Sequence, residues 1–336
     1  MIPRLAARLI IICIFSLGAA WALSRLDWAD FQRRILEASP TDLALMLVLW
    51  VAALLLRPLR FQFLLRVLGH ARVPYAQVWA ANMLGMAVNS FTAMRAGDVV
   101  VALFLRHRLG IDIHRTITVI ATDALCDFLC VTILFMSALS FAPISPAWTS
   151  HAAPLLLVVS VAALATLALA IRFRPSVLAG IDRLLGRMER GWGERLRGMA
   201  HDVLAGLAAI SHWRVCLPLI LISAAIWTVI CGSYWFGMRA VFIAPSVAAA
   251  SFTMAAVTLS FAVPLGPGGL GAFEAAAVVA LSVFGVPLEA AVPFAVIAHA
   301  FQLGSALLLA TLAVTTQKID YRSLLKAARK PDAPAG

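Results

Sequence analysis

Long apolar stretches alternate with short polar segments along almost the whole chain. A helix that crosses the hydrocarbon core of a bilayer needs about 20 mostly apolar residues. The pattern therefore predicts an all-α, polytopic helical membrane protein with about 6–8 spanning helices and one or two re-entrant, broken helical hairpins. The predicted apolar spans cover residues 5–23, 43–65, 116–142, 152–172, 214–238, 246–264, 270–285 and 290–315.

We expect a single transmembrane domain over residues 1–318 and a basic cytoplasmic tail over residues 319–336. Within the domain, the segment 175–212 is not a span, because arginines alternate there with apolar residues at helical spacing. This pattern is typical of amphipathic helices that lie on the cytoplasmic surface against anionic lipid. A solvated connector packed on the bundle would show the same pattern, so both interpretations stand.

One apolar stretch is interrupted by glycines and prolines at residues 264–274, which read PLGPGGLGAFE. Glycine and proline disfavour a continuous helix. Lipid cannot satisfy the backbone groups of a broken helix, so the break must be buried in protein or line a wet cavity. Broken helices with ionisable groups are typical of transporter binding sites. The candidate substrate-binding residues here are Gly268, Gly269, Gly271 and Glu274.

A second apolar stretch, residues 76–105, carries a weaker interruption near Asn89, followed by Arg95 and Asp98. A guanidinium at membrane depth is costly unless a carboxylate or an anionic ligand accompanies it. Arg95 could meet a lipid phosphate, which suits bidentate guanidinium contacts. It could equally form a salt bridge with Asp98 that only pins the hairpin. We take Asn89, Arg95 and Asp98 as candidate substrate-binding residues.

Loop charges predict how the chain threads the membrane. The chain is only 13% charged, and its net charge of +11 comes largely from Lys and Arg in loops 66–72 and 106–115, in segment 172–214 and in the tail. Such loops stay in the cytoplasm, so we place both termini there. Residues 76–105 then begin and end on the cytoplasmic side and form a re-entrant hairpin. Residues 246–285 either span twice or form a second hairpin from the opposite face, as in an inverted repeat.

Several ionisable residues lie inside predicted spans and form a second group of candidates. Asp123 and Asp127 are four apart on one helix face, and their plausible partners are Arg95, or Arg57 and Arg60 on an earlier span. The group is either a structural ion-pair network or a proton- or cation-coupled site. His299 on the last span is either a hydrogen-bonded helix contact or a proton relay that Glu274 could reach.

Several function classes find no support. The chain has no Walker loop, HExxH, GxSxG or Cys/His cluster of zinc spacing, so we expect no metal and no cofactor. Asp123, Asp127 and His299 could do acid–base work in a lipid-modifying transferase, but no nucleophile accompanies them, and we expect no enzymatic activity. The basic residues are spread over loops, which argues against a nucleic-acid partner.

Three stretches resemble the flippase-like family, also called the lysylphosphatidylglycerol synthetase transmembrane-domain family, without its aminoacyl-transfer domain. They are residues 56–66, residues 89–98 and residues 267–274, and the resemblance covers roughly residues 43–315. The chain departs from the family pattern in four places. Asp98 stands for the usual Glu, Ala93 and Met94 occupy the region of a Pro, Val101 replaces an Arg, and His299 falls near a position that often carries Arg.

The resemblance implies an integral protein of the bacterial cytoplasmic (inner) membrane that translocates or handles a membrane lipid or lipid-linked intermediate. The implied partner is a phospholipid, a hopanoid or a polyprenyl-linked intermediate. Transport would be downhill or coupled to protons or membrane potential, because no ATP motif is present. The alternative is a non-transporting scaffold or accessory subunit that binds an enzyme of envelope-lipid or glycan biosynthesis.

Overall fold

The fold is taken from a computed structural model. It describes residues 27–70, 72–92, 96–143, 172–185, 212–261 and 267–318, with a few single positions between 158 and 204. All regular structure in these residues is helical, as the sequence predicts. The predicted span 5–23, most of the span 152–172, most of the amphipathic segment 175–212, the tail 319–336 and Arg95 lie outside the described residues.

The described helices are, in chain order, α1 (Trp28–Leu36), α2 (Pro40–Val67), α3 (Tyr75–Asn89), α4 (Ala96–Leu109), α5 (Ile113–Leu139), α6 (Arg174–Leu185), α7 (Trp213–Ala240), α8 (Val247–Ser260), α9 (Ala272–Ser282) and α10 (Leu288–Thr316), with a 3₁₀ turn at Pro267–Gly269 before α9.

Four of these helices, α2, α5, α7 and α10, are long and apolar enough to cross a membrane. Three of them contain the predicted spans 43–65, 214–238 and 290–315, and α5 covers the predicted span 116–142 up to residue 139. Each has 27 to 29 residues, or about 40 Å at about 1.5 Å per residue, which exceeds a hydrocarbon core of about 30 Å.

Hydrogen bonds between helix ends fix the relative directions of the spans. The Ser39 N–H donates to Ala240 O at 3.0 Å, so the start of α2 lies beside the end of α7. At the other face, Arg115 at the start of α5 lies 3.4 Å from the His70 ring, just past the end of α2. Arg108 at the end of α4 donates to Gln317 O at 2.8 Å, which places the end of α10 at this face too. Spans α2 and α10 therefore run toward this second face, and α5 and α7 run away from it, which are the relative directions that the loop charges predict.

The pKa of His70 is affected by its surroundings at this face. Partial burial, and then the charge of Arg115, hold the pKa of the His70 imidazole below its usual range. A neutral ring can accept a hydrogen bond from the Arg115 guanidinium, so the contact between the two basic side chains is not repulsive.

Helices α3 and α4 form the first re-entrant hairpin. They have 15 and 14 residues, or about 22 Å and 21 Å, too short to cross the core. Both outer ends lie at the face that holds the end of α2 and the start of α5. At their crossing, a Cβ on Gly97 would overlap the carbonyl oxygen of Gly85, so the two backbones touch directly.

Helices α8 and α9 form a second hairpin, and their lengths of about 21 Å and 17 Å favour the re-entrant alternative for residues 246–285 over two spans. They have 14 and 11 residues and pack on each other. The hairpin follows the end of α7 and precedes the start of α10, so it enters from the face opposite to the first. Both hairpins pack against α10. The first hairpin contacts it through α3, and the second contacts it through α9.

The core is divided between the two hairpins. One apolar cluster joins α8 and α9 to α7 and the first part of α10 around Phe252, Phe273 and Phe294. The other joins α3 and α4 to the second half of α2, with Phe61 and Phe104 buried. Each hairpin is therefore held by its own half of the bundle.

Gly97→Ala tests the backbone contact inside the first hairpin. We expect a loss of about 1–3 kcal/mol or more, because an added methyl must push two helices apart. The measurement is thermal unfolding of purified protein in detergent. Gly304→Ala in α10 is the control, because a Cβ there meets nothing within 4 Å. The control should be neutral or stabilised by up to about 1 kcal/mol. Equal stability of the two variants would contradict the close packing of α3 on α4.

Candidate functional site

The tips of the two hairpins meet at Gly268. This residue is buried with φ of 62°, in the left-handed region. A Cβ at this position would lie 2.7 Å from Ser90 O, just past the end of α3. Both the backbone conformation and the close approach therefore require glycine. The two interrupted segments, predicted to face each other, are in contact.

Glu274 and His299 hold the tip of the second hairpin. The Gly271 N–H donates to Glu274 Oε2 at 2.8 Å, so the carboxylate caps the start of its own helix. Glu274 Oε1 lies 2.7 Å from His299 Nδ1, and His299 Nε2 lies 3.0 Å from Gly268 O. The Phe273 ring stacks on the imidazole, with centroids 4.4 Å apart. Side chains thus replace the helical hydrogen bonds that the break removes.

Exposure differs sharply between these two side chains. The His299 side chain is 3% exposed and the Glu274 side chain is 28% exposed. Gly271 and Leu270 beside the carboxylate are also exposed. One side of the pair is therefore sealed by protein, and the carboxylate side is open.

Asn89 plays the corresponding part in the first hairpin. Its Oδ1 accepts a hydrogen bond from the Gly97 N–H at 2.8 Å, near the start of α4. Asp98 lies in the first turn of α4 and is half-buried. The structure brings Asn89, Gly97 and Gly268 to the hairpin tips, with Glu274 and His299 on the far side of Gly268. Gly269, which has φ of 74°, lies in the same turn against the Phe261 ring.

The other ionisable candidates form a separate cluster around Arg60, which is fully buried. Its Nε donates to Asp123 Oδ1 and its Nη2 to Asp127 Oδ1, both at 2.7 Å. A third nitrogen donates to Ser223 Oγ on α7 at 3.1 Å. Arg57 Nη1 lies 3.6 Å from Asp127 Oδ2. The cluster therefore contains two cations and two anions, and its formal charges balance. The cluster joins α2, α5 and α7, and no described hydrogen bond or ion pair links it to Glu274 or His299.

Two contacts were missed by the sequence reasoning. Asp42 and Arg239 pair at the shared end of α2 and α7, with Nε 3.0 Å from each carboxylate oxygen. Their positions in the first turn of one helix and the last turn of its antiparallel neighbour were a usable signal. Gly268 O as a partner of His299 had no such signal, because a backbone carbonyl is not marked by residue type.

This arrangement defines a class: a polytopic helical membrane protein with two facing broken hairpins and ionisable residues at their junction. Within that class, residues 5–310 match the family described as the lysylphosphatidylglycerol synthase transmembrane region, and the chain belongs to that family. The match confirms the resemblance found in the sequence. No curated protein matches the chain.

Arg60→Ala tests whether the buried cluster is structural. We expect a loss of about 3–5 kcal/mol, because two carboxylates lose their buried partner. Less folded protein and a lower midpoint in a detergent unfolding assay would show this. Arg66→Ala on the same helix is the matched control, because Arg66 is exposed. The combination Arg60→Met, Asp123→Asn and Asp127→Asn should recover much of the loss, since it removes the charges together. An Arg60→Ala protein as stable as the control would contradict a structural role.

Proposed function

We propose that this protein translocates a lipid or lipid-linked intermediate across the cytoplasmic membrane of a bacterium, as a flippase-like transporter and not as an enzyme. The observation that carries the proposal is the meeting of two oppositely directed, broken hairpins at Gly268 and Ser90. In transporters, such broken helices place polar groups where a substrate must pass.

The depth of the junction supports this proposal. His299 lies about 17 Å along α10 from its first residue, at about 1.5 Å per residue. That distance is roughly half of a hydrocarbon core of about 30 Å. A carboxylate and an imidazole at the midplane are expensive for a purely structural bundle, and such residues mark substrate or ion pathways.

A lipid is favoured as the class of substrate by an open groove between α2 and α7. The groove has a volume of about 430 Å³ and a largely apolar lining. Arg66, in the last turn of α2, is the one charged residue among the described residues that line it. An acyl chain fits an apolar lining, and a guanidinium suits a lipid phosphate. The lining residues that carry this argument are Leu56, Leu59, Phe63, Leu221, Ile222 and Arg66.

The orientation follows from the basic loops. The ends of α2, α4 and α10 share one face with Arg106, Arg108 and Arg115. Basic loops stay in the cytoplasm, so we place this face and both termini there. The lipid is a phospholipid, a hopanoid or a polyprenyl-linked intermediate, and movement is downhill or coupled to protons or membrane potential.

A second candidate function is a non-transporting scaffold that binds an enzyme of envelope biosynthesis. The charge-balanced cluster around Arg60 favours it, because that cluster is fully engaged in holding three spans together. In this case Glu274 would also be a stabilising contact only, and its removal would lower the yield of folded protein without changing an activity.

Reconstitution separates the two functions. Protein in liposomes should speed the loss of fluorescent lipid from one leaflet, measured by chemical quenching, for at least one of the three lipid classes. Glu274→Ala should abolish most of this acceleration. Its unfolding free energy should fall by about 1–3 kcal/mol, because the variant loses the cap of α9 but still folds.

Glu289→Ala is the matched control, since Glu289 lies in the first turn of α10 and is also a half-buried carboxylate. It should retain full activity. The scaffold function is the correct one if two results hold. Folded wild-type protein must not speed the loss of any of the three lipid classes over empty liposomes, and Glu274→Ala must only lower the yield of folded protein.

A further inference from the structure

The imidazole of His299 has an oxygen acceptor at each of its two nitrogens. Nδ1 lies 2.7 Å from a carboxylate oxygen of Glu274, and Nε2 lies 3.0 Å from the carbonyl oxygen of Gly268. A carbonyl oxygen only accepts hydrogen bonds, and so does an ionised carboxylate. A neutral imidazole carries one N–H, so it can satisfy one of these contacts and not the other.

Both contacts are satisfied only when the pair holds one more proton than a neutral imidazole beside a carboxylate. That proton lies either on His299, as an imidazolium beside a carboxylate, or on Glu274, as a carboxylic acid that donates to Nδ1. Either way the pair has no net charge. Without the proton, a lone pair of the ring faces an oxygen lone pair at Nδ1 or at Nε2, in a buried site where an unmade hydrogen bond is costly.

No other described charge at the junction substitutes for this proton. Helix α9 has Glu274 as its single ionisable side chain, α8 has none, and α3 has only Tyr75 at its far end. Helices α1, α2 and α7 also pack on α10. Their paired charges are Arg33 and Arg34 with Asp30, Arg57 and Arg60 with Asp123 and Asp127, and Arg239 with Asp42. Arg66 and Arg214 are exposed at helix ends. Asp98 at the first hairpin tip has its own interaction, and Arg95 lies outside the described residues.

We propose that His299 and Glu274 form a proton-binding site that couples the docking of the second hairpin tip on α10, and thereby lipid movement, to the proton gradient. This coupling rests on the proposed function, whereas the proton site stands on the geometry alone. The docked tip binds the proton, and the undocked tip releases it from the Glu274 side, which is open. Docking is therefore favoured at lower pH and lost as pH rises.

Glu274→Gln is the decisive variant. Its amide oxygen can accept from the Gly271 N–H, while its NH₂ group donates to Nδ1 of a neutral ring whose Nε2–H donates to Gly268 O. Every contact is then made without a titrating proton. His299→Gln is the second variant, because one NH₂ group supplies two donors and does not titrate. Glu289→Gln and His212→Gln are controls for the loss of a carboxylate on α10 and of an exposed imidazole.

The first measurement is nitrogen NMR of the imidazoles in nanodiscs between about pH 5 and pH 9. The signal of His299 is the one that His299→Gln removes. In the wild type at low pH, this signal should report a ring in which each nitrogen either bears a proton or accepts one in a hydrogen bond from Glu274. As pH rises, it should change to that of a neutral ring without this extra proton. In Glu274→Gln it should stay a neutral ring with Nε2 protonated throughout. A wild-type ring that stays in one neutral form, together with a Glu274 carboxyl carbon signal that does not change over the whole range, would overturn the proton site.

The second measurement is the pH dependence of lipid movement in liposomes. The wild-type initial rate should change by up to about tenfold per pH unit on one limb, the limit for one proton. Glu274→Gln and His299→Gln should lose this dependence, and the two controls should keep it. Rates that are equally pH-dependent in Glu274→Gln and wild type would overturn the coupling. A titrating His299 in a protein that moves no lipid would uphold the proton site and refute the proposed function.

Discussion

Backbone polar groups at the two helix breaks must find partners within the protein, because lipid offers none. Each break meets this constraint with a side chain from nearby. Asn89 accepts from Gly97 N–H in the first hairpin, Glu274 accepts from Gly271 N–H in the second, and His299 reaches Gly268 O from α10. Once these bonds are made, the tips can lie against each other with Gly268 on Ser90, and the rest of the bundle is arranged around that junction.

The two halves of the bundle meet the constraint by different means. In the described part of the first hairpin, the Asn89 side chain bonds Gly97 N–H and the backbones of Gly85 and Gly97 touch directly. The second relies on a carboxylate, an imidazole and the stacked Phe273 ring. The buried ion pair of Arg60 lies in neither hairpin and holds α2, α5 and α7 together. Among the described residues, the fully buried guanidinium lies in the spans, whereas the carboxylate at the junction is 28% exposed.

Much of this architecture was predictable because it depends on local composition. Apolar length predicts the described spans, loop charge predicts their relative directions, and the glycines and prolines of residues 264–274 predict the break. A cationic partner for Asp123 and Asp127 was expected because charges at depth need one, but the sequence left Arg95, Arg57 and Arg60 open, and the structure selects Arg60. The partner of Glu274 was less determined, since helical periodicity indicates a face but not the register between two helices. The contact of His299 with a carbonyl was beyond such reasoning, because only coordinates locate a backbone oxygen.

The residue type at position 299 decides whether the junction is permanent or conditional. An arginine there could donate to Glu274 and to Gly268 O at any physiological pH, because its charge is not lost. Histidine makes the same two contacts only while the pair holds its extra proton. Histidine at this position therefore gives a clamp that depends on protons, whereas arginine would give a permanent one. The exposures of the two side chains fit such a clamp, because the His299 ring is 3% exposed and the Glu274 carboxylate is 28% exposed.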